Sequence, residues 1–401
     1  MAIEPVVEEY LRLGLAFDRI ESGFVDAYTG DPRLRREVEN APAPVPRDLA
    51  ARAAALRAEV AASGLPDDRA GFLTAHVTAL ECAARTFAGE QIGFVDEVHA
   101  YFDVDIAMGD PTRYEEAHQD LDQVLAGDGP LAERYAGHRR GDEIPADRVD
   151  DCVRAFSSAL REIVRERYPL PDNEIVDFEV VTDKPWAGFN YYLGDHRSRV
   201  AINGDLTQYM SSLPALIAHE AYPGHHTEHC RKERLLVADD GRHEHDIFLV
   251  NTPQCLLAEG LADHALTAAV GEHWGLWAQE IYADLGLRFD GARAERVGAA
   301  TADLLSVRQD AALLLHDRGA DSDTVEQFLQ TWLLSSPQRS RQMLRLLSSS
   351  LWRAYVSTYV EGFRLLQQWL DADPHGDRLR RFGRLLDEPL TPRALRAEIS
   401  S

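Results

Sequence analysis

Apolar residues recur three and four positions apart along most of this 401-residue chain, a spacing that helices turn into a continuous buried face. Leu49, Leu56 and Val60 keep that step. Phe72, Val77, Leu80, Ala84 and Phe87 resume it after a break at Ser63-Gly64-Leu65-Pro66. A third helical stretch is expected from about Pro111 to Ala136, with Leu121 and Val124 inside it. A fourth, Val149 to Arg167, carries Val153, Phe156, Leu160 and Val164 on one face and ends before Pro169.

The period changes between about Asn173 and Leu206. Ile175, Val176, Phe178, Val180 and Val181 predict a strand, and Arg199 to Asn203 another, while the aromatic, Gly-punctuated PWAGFNYYLGD between them reads as a turn or loop. Helical spacing returns at Ser212, which is placed to cap a helix with Pro214 in its first turn. Towards the end, Leu344, Leu347, Leu351, Tyr355 and Tyr359 form one stripe, and Leu379, Phe382 and Leu385 another. The chain therefore reads as one large, mostly α domain over 1–401. It has a helical part to about 170, a small β-hairpin or sheet at about 173–206, and a second helical part at about 212–400.

Charge narrows the partners. Lys and Arg number 42 against 67 Asp and Glu, a net charge of −25. Nucleic acid and anionic membrane surfaces select for clustered cations, so neither is expected as a partner. The N-terminal MAIEPVVEEYLRLGLAF has no basic region followed by a continuous apolar run, so no secretory signal is expected. No run approaches eighteen apolar residues, so no membrane span is expected either. Cys82, Cys152, Cys230 and Cys255 are scattered, which fits neither a disulfide scaffold nor a zinc ribbon. A cytoplasmic setting follows as the expectation.

Four of the 15 histidines fall in one short segment, HEAYPGHHTEH: His219, His225, His226 and His229. A strict HExxH zinc helix needs its second histidine four residues after the first, and Pro223 stands there instead. Proline has no amide hydrogen and its ring clashes with the carbonyl four residues back, so the helix must break. Gly224 then permits backbone angles closed to other residues. Two ligands on one zinc bring their nitrogens within roughly 4 Å, since each bond is about 2.1 Å. The break is what could fold a second imidazole back to His219: His225 is preferred and His226 is the alternative.

A third ligand is expected from another helix. Glu259 sits in LLAEGLADHA among Leu256, Leu257 and Leu261, where an unpaired carboxylate would be costly. Asp263, one turn on, is placed to hydrogen-bond a ligand imidazole and fix its tautomer. Glu220 is then the candidate general base for water on a single zinc ion. His229, His243, His245 and His264 are expected at the surface or in support of the ligands.

HEAYPGHH closely resembles the signature of a bacterial family catalogued as domain of unknown function 885, taken to be zinc metallopeptidases. DRIESGFVDAYTGDP, PWAGFNYYLGDHRSRVAIN and LLAEGLADHA resemble further family segments in family order, so the likeness covers nearly the whole chain. It implies a fold like Taq-type carboxypeptidases and neurolysin-like enzymes, with a deep cleft, zinc on His219, His225 or His226, and Glu259, and Glu220 as base. The chain departs from the pattern at Leu261, where relatives carry Trp. SVRQDAALLLHDRG and TYVEG look like the family's later elements, with a shorter spacing between Arg308 and Asp310.

Amide hydrolysis also needs a donor for the developing oxyanion. Tyr359 is the first candidate, with Tyr355 and His316 behind it on the substrate side. Arg197 and Arg199, beside the predicted strand, are candidates to hold a substrate carboxylate. Trp186, Asn190 and Tyr191 are candidate cleft-lining residues. The expected function is a zinc metallopeptidase acting on short peptides, from the carboxyl end. A metal-dependent amide or ester hydrolase acting on another small molecule would use the same groups, and a helical binding protein with a structural metal is the non-catalytic alternative.

Overall fold

In a computed structural model, which describes residues 3–184, 187–372 and 377–400, proline opens helix after helix. Pro5, Pro32, Pro46, Pro111, Pro253, Pro337 and Pro392 each stand in a first turn, where a missing N–H leaves nothing unpaired. Asp31, Asp110, Thr252, Ser336 and Thr391 accept hydrogen bonds from the first-turn amides of five of these helices. The fold is mostly α, with two small sheets. Among the described residues, no helix is long and apolar enough to cross a membrane.

The helices Pro46–Ala62 and Asp67–Phe87 bury the predicted faces against one another, and Val149–Arg167 buries Val153, Phe156, Leu160 and Val164 as its spacing requires. The stretch expected from Pro111 to Ala136 is two helices, Pro111–Val124 and Leu131–Gly141. Gly127 and Gly129 at positive φ and Pro130 after them divide it. Ser212 precedes the helix Leu213–Glu220 without a side-chain capping bond, because its own backbone is already in the helical region. The stripe from Leu344 to Tyr359 is not one helix. Pro337–Leu347 ends, turns follow, and a π-helical segment, Thr358–Gly362, carries Tyr359. In the last stripe Phe382 and Leu385 are buried while Leu379 faces outward.

Two strands lie outside the expected β region. Strand β1 (Val25–Tyr28) pairs antiparallel with a short strand, Ile247–Leu249, and the register shifts between Val25 and Ala27. The β region itself is a three-stranded sheet of β2 (Ile175–Val181), β3 (Gly188–Gly194) and β4 (Arg197–Asn203). Strand β4 is central, parallel to β2 and antiparallel to β3. Most of the stretch expected as a loop is therefore a strand, β3. Its residues alternate, with Asn190 and Tyr192 buried and Leu193 exposed, and Asp195 and His196 at positive φ make the tight turn into β4. Trp186 lies outside the described residues.

One helix organises the interior. Pro253–Val270 is buried on nearly every side, from Pro253 through Ala262 and again at His264, Ala265, Leu266 and Ala269. It packs against Leu213–Glu220 and against the π-helical segment. The second contact is backbone on backbone: a Cβ on Gly260 would lie 2.6 Å from the carbonyl carbon of Gly362, and one on Gly362 would lie 2.4 Å from the oxygen of Leu256. Glycine at both positions lets Glu259 and Tyr359 approach.

Gly260→Ala should lower stability by about 1–3 kcal/mol or more, read as a lower denaturation midpoint at unchanged m-value, because backbone cannot move aside as a side chain does. A second expectation concerns acid. His76 is 1 % exposed, donates Nδ1–H to the oxygen of Phe72 at 2.9 Å and stacks on the Phe72 ring. Burial pushes its pKa down to about 4. The unfolded chain takes up a proton near pH 6.5, so the stabilisation is full above that pH and is lost as pH falls towards 4. The loss is about 3 kcal/mol for this group, and a His76→Leu variant should show a correspondingly shallower acid limb in equilibrium unfolding.

Candidate metal centre

The helix Leu213–Glu220 stops where Pro223 requires it to, and residues 221–224 turn the chain back before the helix His225–Lys232 begins. The return is close. The amide of Gly224 donates to the oxygen of Ala218 at 2.9 Å, and a Cβ on Gly224 would lie 1.9 Å from the oxygen of His219. No larger residue fits there. Thr227 anchors the start of the second helix by donating its hydroxyl to the oxygen of Ala221 at 2.9 Å.

This reversal brings His219 Nε2 and His225 Nε2 to 3.2 Å from each other. Glu259, from the central helix, completes a triangle, with Oε2 3.4 Å from His219 Nε2 and Oε1 3.4 Å from His225 Nε2. Tetrahedral bonds of about 2.1 Å separate ligand atoms by roughly 3.3 Å, close to the 3.2 Å between the imidazoles and the 3.4 Å from each of them to one of the two Glu259 oxygens. His219, His225 and Glu259 form the one group of His, Cys, Asp or Glu among the described residues whose donor atoms converge in this way.

The orientation of each donor is set from outside. His219 gives Nδ1–H to Asp263 Oδ1 at 3.1 Å, which turns the lone pair of Nε2 inward. Tyr355 donates its hydroxyl to Glu259 Oε1 at 2.7 Å. Burial opposes charge on both imidazoles, yet Asp263 and Glu259 hold His219 far above its ordinary pKa, and Glu259 raises His225. Burial likewise opposes charge on Glu259, but the two histidines hold it far below the carboxylate range. The donor set thus favours positive charge at its centre, which a divalent metal ion would supply. The side chains of His219, His225 and Glu259 keep 16, 13 and 7 % of their exposure, so the triangle has an open side.

His226, the alternative ligand, belongs elsewhere. It is sealed from solvent between Ser198 Oγ at 2.8 Å and Glu174 Oε2 at 3.1 Å. Glu174 also accepts from Tyr222 at 2.8 Å and from Arg161 at 2.7 Å. The order Ser198–His226–Glu174 is that of an acyl-transfer triad, but with every member buried it pins the second ligand helix to β4.

Glu220 is 6 % exposed, and burial raises its carboxyl above the ordinary range against the pull of His219 and His225. Asn190 donates to the backbone oxygen of Glu220 at 2.6 Å. Gly188 leaves room for the carboxylate, since a Cβ there would lie 3.2 Å from Glu220 Oε1. Tyr359 stands at the same place, its hydroxyl held far above its usual pKa by burial and by Glu259, Asp263 and Glu220, so it keeps its proton and can donate.

Other expected site residues are placed differently. Arg197 and Arg199 are exposed on β4, facing Asp177 at 4.0 Å and Glu179 at 3.3 Å, with Arg199 over the ring of Tyr191. His316 donates to the oxygen of Leu347 at 2.7 Å beside the Phe94 ring, so it supports a helix end rather than the triangle. His229 stacks on Tyr192, His264 stacks on Phe363, and His243 pairs with Asp246. His245 lies against the Phe72 ring.

Two charged residues outside the sequence reading of the site complete the surroundings. Arg308, at the start of the helix Val307–His316, lies near Tyr359 and Asp263 with its Nε buried and without a partner. Asp26, on β1, lies on the side of His225, Glu259 and Glu220, and burial pushes its carboxyl up to about 7. Both lie in segments that resemble the family, DRIESGFVDAYTGDP and SVRQDAALLLHDRG, but strand and helix periodicity alone give neither residue a role.

Asp263→Ala should weaken zinc binding about 10- to 100-fold in competition with a chromophoric chelator, because His219 loses its orienting partner. His226→Gln should lower the melting temperature while the same titration shows far less change.

No family model matches the chain, and no curated protein matches it. Among solved structures, it is similar to a candidate lipoprotein of Colwellia psychrerythraea at a TM-score of 0.51 and 13% identity, over 88% of this chain and 66% of that one. It is also similar to a candidate lipoprotein of unknown function from Shewanella oneidensis, again at 0.51 and 13%, over 89% of this chain and 73% of that one. The chain thus spans about two thirds of the length of the first of these, and at such identity the likeness is one of fold alone.

Proposed function

We propose that the protein is a zinc-dependent hydrolase, a metallopeptidase that cleaves short peptides from the carboxyl end. The observation that carries this reading is the open triangle of His219, His225 and Glu259 with the buried carboxylate of Glu220 beside it. A structural zinc site is closed by four protein ligands, whereas three ligands and an accessible face are the catalytic arrangement. When bound, zinc supplies Lewis acidity, which makes water a usable nucleophile near neutral pH.

The chain's own groups divide the remaining work. Glu220 takes the proton from the attacking water, and its raised pKa suits a group that must then pass that proton to the leaving amine. Tyr359, kept protonated, donates to the oxyanion that forms at the substrate carbonyl. Asp263 and Tyr355 hold His219 and Glu259 in place. Arg308, a cation without an ion pair among the described residues, is the group available to a terminal carboxylate, a role that Arg197 and Arg199 fit less well from the sheet surface. The resemblance of HEAYPGHH and its flanking segments to the domain of unknown function 885 family agrees with this reading. The four cysteines, free and buried, support a cytoplasmic setting. A hydrolase of non-peptide amides or esters would use the same residues in the same roles.

Gently purified protein should hold about one equivalent of zinc by elemental analysis, and a clearly lower content of any divalent metal would sink the proposal. Incubated with a peptide library and read by mass, the zinc-loaded protein should shorten chains at the carboxyl end. Glu220→Gln should keep its zinc and lose about 10²- to 10⁴-fold in turnover; unchanged turnover would remove Glu220 as the base.

A further inference from the structure

A polar cavity is built partly from the second ligand helix, one turn beyond its histidine ligand. Glu228 and His229 follow His225 by three and four residues in the helix His225–Lys232, a rise of about 6 Å. Both line the cavity, together with Lys232, His245, and Gln254 from the helix that carries Glu259. Within it, about 20 Å³ is open to the centre of a water-sized group, room for one small head group and too little for a ring.

The lining is short of donors. Glu228 is 2 % exposed; its Oε1 takes the ammonium of Lys232 at 2.6 Å, while its Oε2 is buried without a hydrogen-bond partner. Gln254 is 9 % exposed, and its Oε1 is likewise buried and unpartnered. Neither ring nitrogen of His245 has a partner, and burial holds that imidazole well below the ordinary histidine range. A neutral imidazole presents one nitrogen as an acceptor. Three side chains with unmet acceptors therefore line one small space, each costly until a donor meets it. The balance of charge selects the donor. Glu228, Glu233 and Asp246 line the cavity against the single cation of Lys232. Water brings two donors and no charge. A divalent metal is not indicated, because among the described residues His, Cys, Asp and Glu donors converge only at His219, His225 and Glu259. A primary ammonium brings three N–H donors and one positive charge in a head group of water's size.

We propose that this cavity binds a primary ammonium group, held by Glu228, Gln254 and His245. Two sources share that chemistry, the side chain of a lysine and the free amino terminus of a peptide. The site stands on the cavity and its unpartnered acceptors, so it does not depend on the hydrolase reading.

The test is a calorimetric titration at neutral pH and constant ionic strength, in saturating zinc to keep amines from the triangle of His219, His225 and Glu259. Methylammonium is the probe, and tetramethylammonium is the control of equal charge without N–H donors. Methylammonium should bind the wild type about tenfold or more tightly than tetramethylammonium. Gln254→Met and His245→Leu, which each remove one acceptor, should each weaken it about tenfold or more, the worth of a hydrogen bond to a charged group. Without amine, Gln254→Met should melt no lower than the wild type, because it keeps the length of the side chain and removes an unpartnered acceptor. Whichever then binds the more tightly, Nα-acetyl-lysine methylamide or glycinamide, identifies the source as a side chain or an amino terminus. Heats that do not saturate, equal affinity for the two cations, or unchanged affinity in either variant would each overturn the proposal and leave the cavity to water alone.

Discussion

Everything at the centre follows from one contact, the backbone of Gly224 laid against the carbonyl of His219. An unbroken helix would carry residues six apart about 9 Å along its axis. The turn over residues 221–224 cancels that rise, and two imidazoles from successive helices meet at 3.2 Å. Two lone pairs and a carboxylate facing one another repel, so the arrangement holds only with positive charge between them. The surrounding structure is devoted to enforcing that geometry. Asp263 and Tyr355 aim the donors, the buried Ser198–His226–Glu174 chain fixes the second helix, and the glycine crossing of Gly260 and Gly362 brings Tyr359 alongside.

Neighbouring histidines in one turn have opposite fates for a reason of direction. His225 points towards the central helix and keeps a share of solvent, while His226, one residue on and about 100° around the helix, points into β4. Both are buried enough for burial to lower their pKa values, yet carboxylate neighbours reverse the sign for His225 and do not for His226.

Local chemistry made much of this legible before any coordinates. Pro223 and Gly224 announced a break, the spacing marked His219 and His225, and a lone glutamate in an apolar helix marked Glu259. The helices Pro46–Ala62, Asp67–Phe87 and Val149–Arg167 follow from periodicity because each buries one face. What stayed hidden depended on distant partners. Residues 188–194 form a strand because β4 is there to pair with them. The Leu344–Tyr359 stripe is broken because the π-helical segment must meet Gly260. Arg308 is an ordinary charge until the fold strips away much of its water.

The pairing of β1 with Ile247–Leu249 has a kinetic side. Thr29 and Asp246 are 217 residues apart, and the amide of Thr29 donates to the backbone oxygen of Asp246 at 2.8 Å. Asp26, the ligand helices, Arg308 and Tyr359 are made in that order along the chain, so the pocket cannot close until the polypeptide is nearly complete. Contacts of such separation form slowly. A ribosome-bound chain therefore carries an unfinished donor set for most of its synthesis, and filling that set with a cation would be one of the last events in maturation.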